Sequence, residues 1–92
     1  MAEQKQLEIA ELEGGLTELI TGNLLETGPS FNVDSNLYEA GLDSMAIMQL
    51  LLMIEQKFGV MLPESDLSRE NFNDVRSLAR LLEKRLVALK RP

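Results

Sequence analysis

The chain reads as a small all-α bundle of three long helices and one short third helix, with a long loop between helices 1 and 2. Three observations lead there. Apolar residues recur at three- and four-residue spacing in three separate segments. No segment of the 92 residues alternates apolar and polar in the manner of a half-buried strand. Gly28-Pro29, Gly59 and Asn73-Asp74 fall where the periodic segments stop or start.

In the first helix, Ile9, Leu12, Leu16, Leu19, Ile20 and Leu24 share one side. Gly14-Gly15 interrupts it, and each glycine costs about 1 kcal/mol relative to alanine. The secure part is therefore Leu16 to Leu25, with residues 1–13 a frayed extension. A connection of about fourteen residues follows, with Phe31, Val33 and Leu37 spaced to dip into a core. Asp43 or Ser44 caps the second helix, which runs to Phe58 and stops at Gly59. Val60 to Pro63 is a short extended link, and Ser68 caps a single helical turn over Arg69 to Phe72. Asn73 or Asp74 caps the last helix, whose apolar side is Val75, Leu78, Ala79, Leu82, Leu86 and Leu89. Residues 1–92 make a single domain with its core over about 16–89 and a tail at 90–92.

Composition narrows the function. The chain has no Cys, His or Trp, so it lacks the residues for Cys–His or Ser–His–Asp catalysis and for thiolate or imidazole metal ligation. Neither a catalytic pair nor a metal set is identifiable, and the expectation is a protein that is not itself an enzyme. A net charge of −6 and only four aromatics argue against nucleic acid. No apolar run approaches the roughly 18–20 residues of a membrane span, and the first residues lack a signal-peptide pattern, so a cytoplasmic monomer is expected.

Charge is uneven. Residues 1–75 carry fourteen acids and three cations, whereas residues 76–92 carry one acid and six cations: Arg76, Arg80, Lys84, Arg85, Lys90 and Arg91. The basic end reads as a solvated helix face, favoured near a helix C-terminus, rather than an anion site. The acidic body would attract basic partner surfaces.

The second helix holds more apolar residues than one core face needs. At 100° per residue, Ile47, Leu50, Leu51, Ile54 and Phe58 cluster within about 60° of one direction. Met45, Met48 and Leu52 make a second stripe pointing elsewhere, which reads as a partner-facing patch or as peripheral core under the loop. Methionine suits a binding patch because its unbranched thioether repacks against different surfaces.

Gly41-Leu42-Asp43-Ser44-Met45 sits where the long loop enters that helix. On spacing alone Ser44 is an ordinary N-cap. Leu37-Tyr38-Glu39-Ala40-Gly41-Leu42-Asp43-Ser44-Met45, however, resembles the attachment site of acyl and peptidyl carrier proteins. Ile54 to Val60, Leu62-Pro63, Leu67 and Asn71-Phe72 are similar to the later parts of that family, so the likeness covers roughly Leu16 to Leu86.

The resemblance implies a right-handed four-helix bundle that carries 4′-phosphopantetheine on Ser44. The group would come from coenzyme A through a phosphopantetheinyl transferase. It also implies a thioester cargo, acyl or aminoacyl, loaded by a ligase and consumed by synthase or transferase partners. A helix N-terminus suits an added phosphodiester anion. Asp43 resembles the family's acidic residue at the attachment site, and Gly41 is expected to supply a conformation closed to residues with Cβ.

Carriers of bacterial fatty acid synthesis usually have an acidic second helix, but Ala46, Gln49, Gln56 and Lys57 stand at positions often acidic there. Recognition should then lean on Met45, Met48 and Leu52, framed by Asp43, Glu39 and Glu55. Met45 in place of the commoner leucine, and a turn one residue shorter before Ser44, look more like D-alanyl carriers and stand-alone carriers charged by ligases. A specialised pathway is expected over general fatty-acid or polyketide biosynthesis. The alternative is a helical adaptor or regulatory subunit that uses the Met45/Met48/Leu52 patch without a prosthetic group.

Overall fold

The computed structural model describes residues 8–89. Helix α1 spans Ile9–Leu19 and continues as one π-helical segment, Ile20–Leu24. Helix α2 spans Ser44–Phe58, a 3₁₀ turn covers Glu64–Asp66, and α3 spans Val75–Leu89. There is no strand among the described residues. The all-helical bundle with three long helices and a long first loop is as expected. The short helical element, however, lies at Glu64–Asp66, and Arg69–Phe72 is a hydrogen-bonded turn rather than a helical one. Ser68 still tethers that turn, its Oγ accepting from Asn71 N at 3.2 Å.

Helix α1 runs unbroken through Gly14-Gly15, so residues 9–13 are regular helix and not a frayed extension; residues 1–7 lie outside the described residues. Two glycines cost about 2 kcal/mol. Leu12, Leu16 and Ile20 are fully buried, and each such side chain contributes about 1.5–3 kcal/mol, so packing outweighs propensity. A reciprocal cap between Glu8 and Glu11 adds to the start, with Glu8 N donating to Glu11 Oε1 at 3.1 Å.

The two glycines differ in what surrounds them. A methyl at Gly14 would meet nothing within 4 Å, whereas one at Gly15 would lie 2.8 Å from Phe58 Cζ and 3.1 Å from Lys57 Cε. Gly15 thus permits α1 to approach the end of α2. Gly14→Ala is expected to raise stability by about 0.5–1 kcal/mol. Gly15→Ala should melt below Gly14→Ala, because the new methyl displaces the Phe58 ring.

The core joins Leu12, Leu16 and Ile20 to Leu37, Leu42, Ala46, Leu50, Ile54, Val60, Phe72, Val75, Leu78, Ala79, Leu81 and Leu82. Helix α1 packs mainly on α3 and more lightly on α2. On α2 the buried line is Ala46, Leu50 and Ile54, so the core face is turned from the direction centred on Ile47. Ile47 and Leu51 are only partly buried. Asp74 caps α3, its Oδ1 accepting from Ser77 N at 2.8 Å. Leu86 is half-buried.

Two arginines of the basic C-terminal segment are tied rather than simply solvated. Arg76 forms a two-point pair with Asp34 (Nε–Oδ1 2.7 Å, Nη2–Oδ2 3.1 Å), and Arg85 Nε meets Asp66 Oδ2 at 2.6 Å. The pairs fasten the long loop and the 3₁₀ turn to α3. Arg80 and Lys84 are exposed, as expected, and Lys90 and Arg91 lie outside the described residues.

Hydrogen bonds from Arg76 and Arg85 hold the Asp34 and Asp66 carboxyls below their ordinary value of 3.8. A lowered folded-state value means that the stabilisation is complete above about pH 5 and is lost as pH falls through and below 3.8. Thermal melts between pH 6 and pH 3 should show it. In an Asp34→Asn/Asp66→Asn variant the melting temperature starts lower and falls less steeply with acid. An unchanged acid slope would show that these pairs do not contribute.

Candidate functional site

The site is built from the segment that leads into α2. Leu37 is fully buried and its N–H donates to Asn73 O at 2.8 Å, tying the loop to the entry of α3. The chain then closes a tight turn. Ala40 N donates to Asn36 O and Leu37 O, both at 3.1 Å, and Leu42 N donates to Leu37 O at 2.9 Å. Gly41 closes that turn at φ +116°, a conformation that residues with Cβ rarely adopt, as its place before Ser44 suggested. A side chain there would also meet Leu25 Cδ2 at 3.7 Å. Leu42 is then buried, and Asp43 turns outward.

Asp43, not Ser44, is the N-cap. Its Oδ1 accepts from Ala46 N at 2.9 Å, and its carbonyl accepts from Ile47 N at 2.8 Å. Ser44 is the first residue of the helix and is exposed. Its hydroxyl is thereby outside the capping hydrogen bond. The N–H groups of Ser44 and Met45 belong to the first turn, where an α-helix offers no internal acceptor. An exposed primary hydroxyl beside such N–H groups, at the positive end of a 15-residue helix, suits a group joined through a phosphodiester. The donor set fits that attachment.

Beyond the hydroxyl, Met45, Met48 and Leu52 are 71%, 68% and 61% exposed, so the second stripe of α2 is on the surface and not peripheral core. Glu39, Asp43 and Glu55 are exposed as well. Two features escaped the sequence reading. Met61 is 73% exposed, although the link it stands in pairs it with buried Val60; alternate burial along an extended segment was the available signal. The Arg69 guanidinium lies over the Tyr38 ring at 4.1 Å from its centroid, clipping the turn after the 3₁₀ element to the loop before Ser44. Nothing in local periodicity links residues this far apart.

A family model for the phosphopantetheine attachment site matches residues 15–82. The chain belongs to this family. Its domain is the attachment site for 4′-phosphopantetheine. This carrier-family chain is 36% identical over 61 residues to the D-alanyl carrier protein of Lactobacillus delbrueckii subsp. bulgaricus, which covers 63% of the chain and 76% of that protein. It is 35% identical over 49 residues to aminoacyl carrier protein 2 of Bradyrhizobium diazoefficiens, covering 53% of the chain and about half, 55%, of that protein's length.

Among solved structures, the fold is similar to a chain of the engineered Bradyrhizobium japonicum glycine:[carrier protein] ligase complexed with carrier protein from Agrobacterium tumefaciens and ATP. The TM-score is 0.69 at 27% identity, over 79% of this chain and 97% of that one. A second likeness, TM-score 0.60 at 25% identity over 79% of this chain and 96% of that one, is to the Bradyrhizobium japonicum ligase complexed with glycylated carrier protein. No helix among the described residues is long and apolar enough to cross a membrane.

Proposed function

We propose that this chain is a specialised carrier that holds an amino acid or a pathway-specific acyl group on 4′-phosphopantetheine attached at Ser44. When attached, the group supplies the terminal thiol that a chain without Cys lacks, and the cargo rides there as a thioester. The observation that carries the reading is the division of labour at the α2 terminus. Asp43 takes the capping role, which leaves the Ser44 hydroxyl exposed and available. The family match and the likeness to carriers seated on an aminoacyl ligase support it.

The chain's own residues then have distinct roles. Ser44 provides the oxygen that bonds to phosphorus, and the first-turn N–H groups favour the resulting anion. Met45, Met48 and Leu52 present an apolar docking stripe to the modifying transferase, the loading ligase and the enzymes that take the cargo. Asp43, Glu39 and Glu55 form a sparse acidic frame that orients basic partner groups. With Gln49 and Gln56 uncharged on the same helix, partners built to grip an acidic helix should bind poorly. The protein presents the cargo and catalyses nothing itself, acting in the cytoplasm.

The test is intact mass spectrometry after incubation with coenzyme A and a broad phosphopantetheinyl transferase. One phosphopantetheine should add, and fragmentation should map it to Ser44. A folded chain that stays at its unmodified mass overturns the reading and leaves an adaptor without a prosthetic group.

A further inference from the structure

We propose that Met45 and Met48 are a modification site for peroxide-class oxidants, and that their conversion to methionine sulfoxide weakens docking at Ser44. The second half rests on the carrier reading above. Composition makes methionine the sensitive side chain: the chain has five Met but no Cys, Trp or His, so before the arm is attached no thiol, indole or imidazole competes for oxidant. Access then selects among the methionines. Met45, Met48 and Met61 are 71%, 68% and 73% exposed. Met53 is half-buried, set in a cleft with Asn23, Gln49, Leu52 and Gln56.

Position decides which oxidation matters. Met45 directly follows Ser44, and Met48 is one turn on along the same surface stripe. In the reaction the thioether sulfur lone pair attacks one peroxide oxygen and the O–O bond breaks. The displaced oxygen leaves as water after proton transfer, with sulfur oxidised by two electrons and peroxide reduced by two. The product carries a polar S=O where the stripe was apolar, and burying that dipole against a partner without a donor is unfavourable. Met45, Met48 and Met61 all lie outside the core, so the fold persists through their oxidation. The change is reversible, since methionine sulfoxide reductases return the thioether with electrons from thiols.

The experiment uses the full chain before phosphopantetheine is attached. It is treated with hydrogen peroxide, quenched with catalase, mapped by peptide mass spectrometry, and then given coenzyme A and transferase. Met45, Met48 and Met61 should oxidise ahead of Met53, the helical melt should hold, and the attachment rate should fall about tenfold. Reductase with dithiothreitol should restore it.

In Met45→Leu/Met48→Leu, whatever its starting rate, peroxide should lower the rate no further; Met61→Leu should stay as sensitive as the parent. Met53 oxidising as fast as Met45 and Met48, or an oxidised chain modified at the untreated rate, overturns the proposal. If the untreated chain accepts no phosphopantetheine, the carrier reading fails and takes the docking half with it, while the peptide map still decides whether Met45 and Met48 are preferred targets.

Discussion

Ser44→Ala is expected to abolish phosphopantetheine attachment completely while leaving the thermal melt within about 0.5 kcal/mol of the parent. The first half follows from chemistry: alanine offers no oxygen for the phosphodiester. The second follows from the geometry, because the capping bond to Ala46 N comes from Asp43 Oδ1 and survives the change. Had Ser44 been the cap, its loss would have cost about 0.5–2 kcal/mol.

That cost moves to the neighbour. Asp43→Ala should lose the cap and melt lower, whereas Asp43→Asn keeps an acceptor oxygen and removes only the charge. Slower attachment in Asp43→Asn at undiminished stability would identify the carboxylate as a partner contact. Circular dichroism melts beside intact mass read both effects. Residual attachment in folded Ser44→Ala would move the site to another residue.

The second large effect lies in the core. Phe72 is the bulkiest fully buried side chain, 1% exposed, in the turn just before α3. Phe72→Ala should destabilise by about 3–5 kcal/mol, through lost burial and the cavity left behind. A domain of this length has roughly 5–14 kcal/mol in total, and a single small core has little to relax into the gap. Urea unfolding should show a midpoint shifted far down at an unchanged slope. Phe72→Leu should lose much less, since it keeps most of the apolar volume. If Phe72→Ala unfolds near the parent midpoint, the packing around that ring is not what the structure describes.

Both predictions depend on features with different visibility in the sequence. The three long helices were legible because burying one side of a helix imposes a 3.6-residue period on the residues themselves. The Met45, Met48 and Leu52 stripe was legible for the converse reason, as apolar positions left over once a core face had been assigned. Whether that surplus was exposed was not. It needed the direction of the core, and the buried line of α2 runs through Ala46, a residue too small to weigh in the pattern. The continuity of α1 through Gly14-Gly15 was misread because local propensity counts the glycines and not the Phe58 ring that lies over Gly15. The short third helix was misplaced by a few residues because brief turns carry too few side chains to show a period.

Sequence alone determined that this chain is an all-α domain without Cys, His or Trp, and its likeness to carrier proteins singled out Gly41 to Met45 as the expected attachment segment. The helices follow from residue type and spacing, which need no partner residue to be read, whereas the segment is singled out by the resemblance, since spacing alone makes Ser44 an ordinary N-cap. The tertiary structure decided which of two adjacent polar residues caps α2, which stripe of that helix faces solvent, and which arginines fasten loops to α3. The last two turn on where distant segments meet: Asp34 with Arg76, Asp66 with Arg85, Leu37 with Asn73. Exposure and ion pairing are settled by how the whole bundle packs, and only the folded chain brings those distant groups within reach of one another. The cap is a local bond, Asp43 to Ala46, whose choice over Ser44 shows in the backbone geometry at the start of α2.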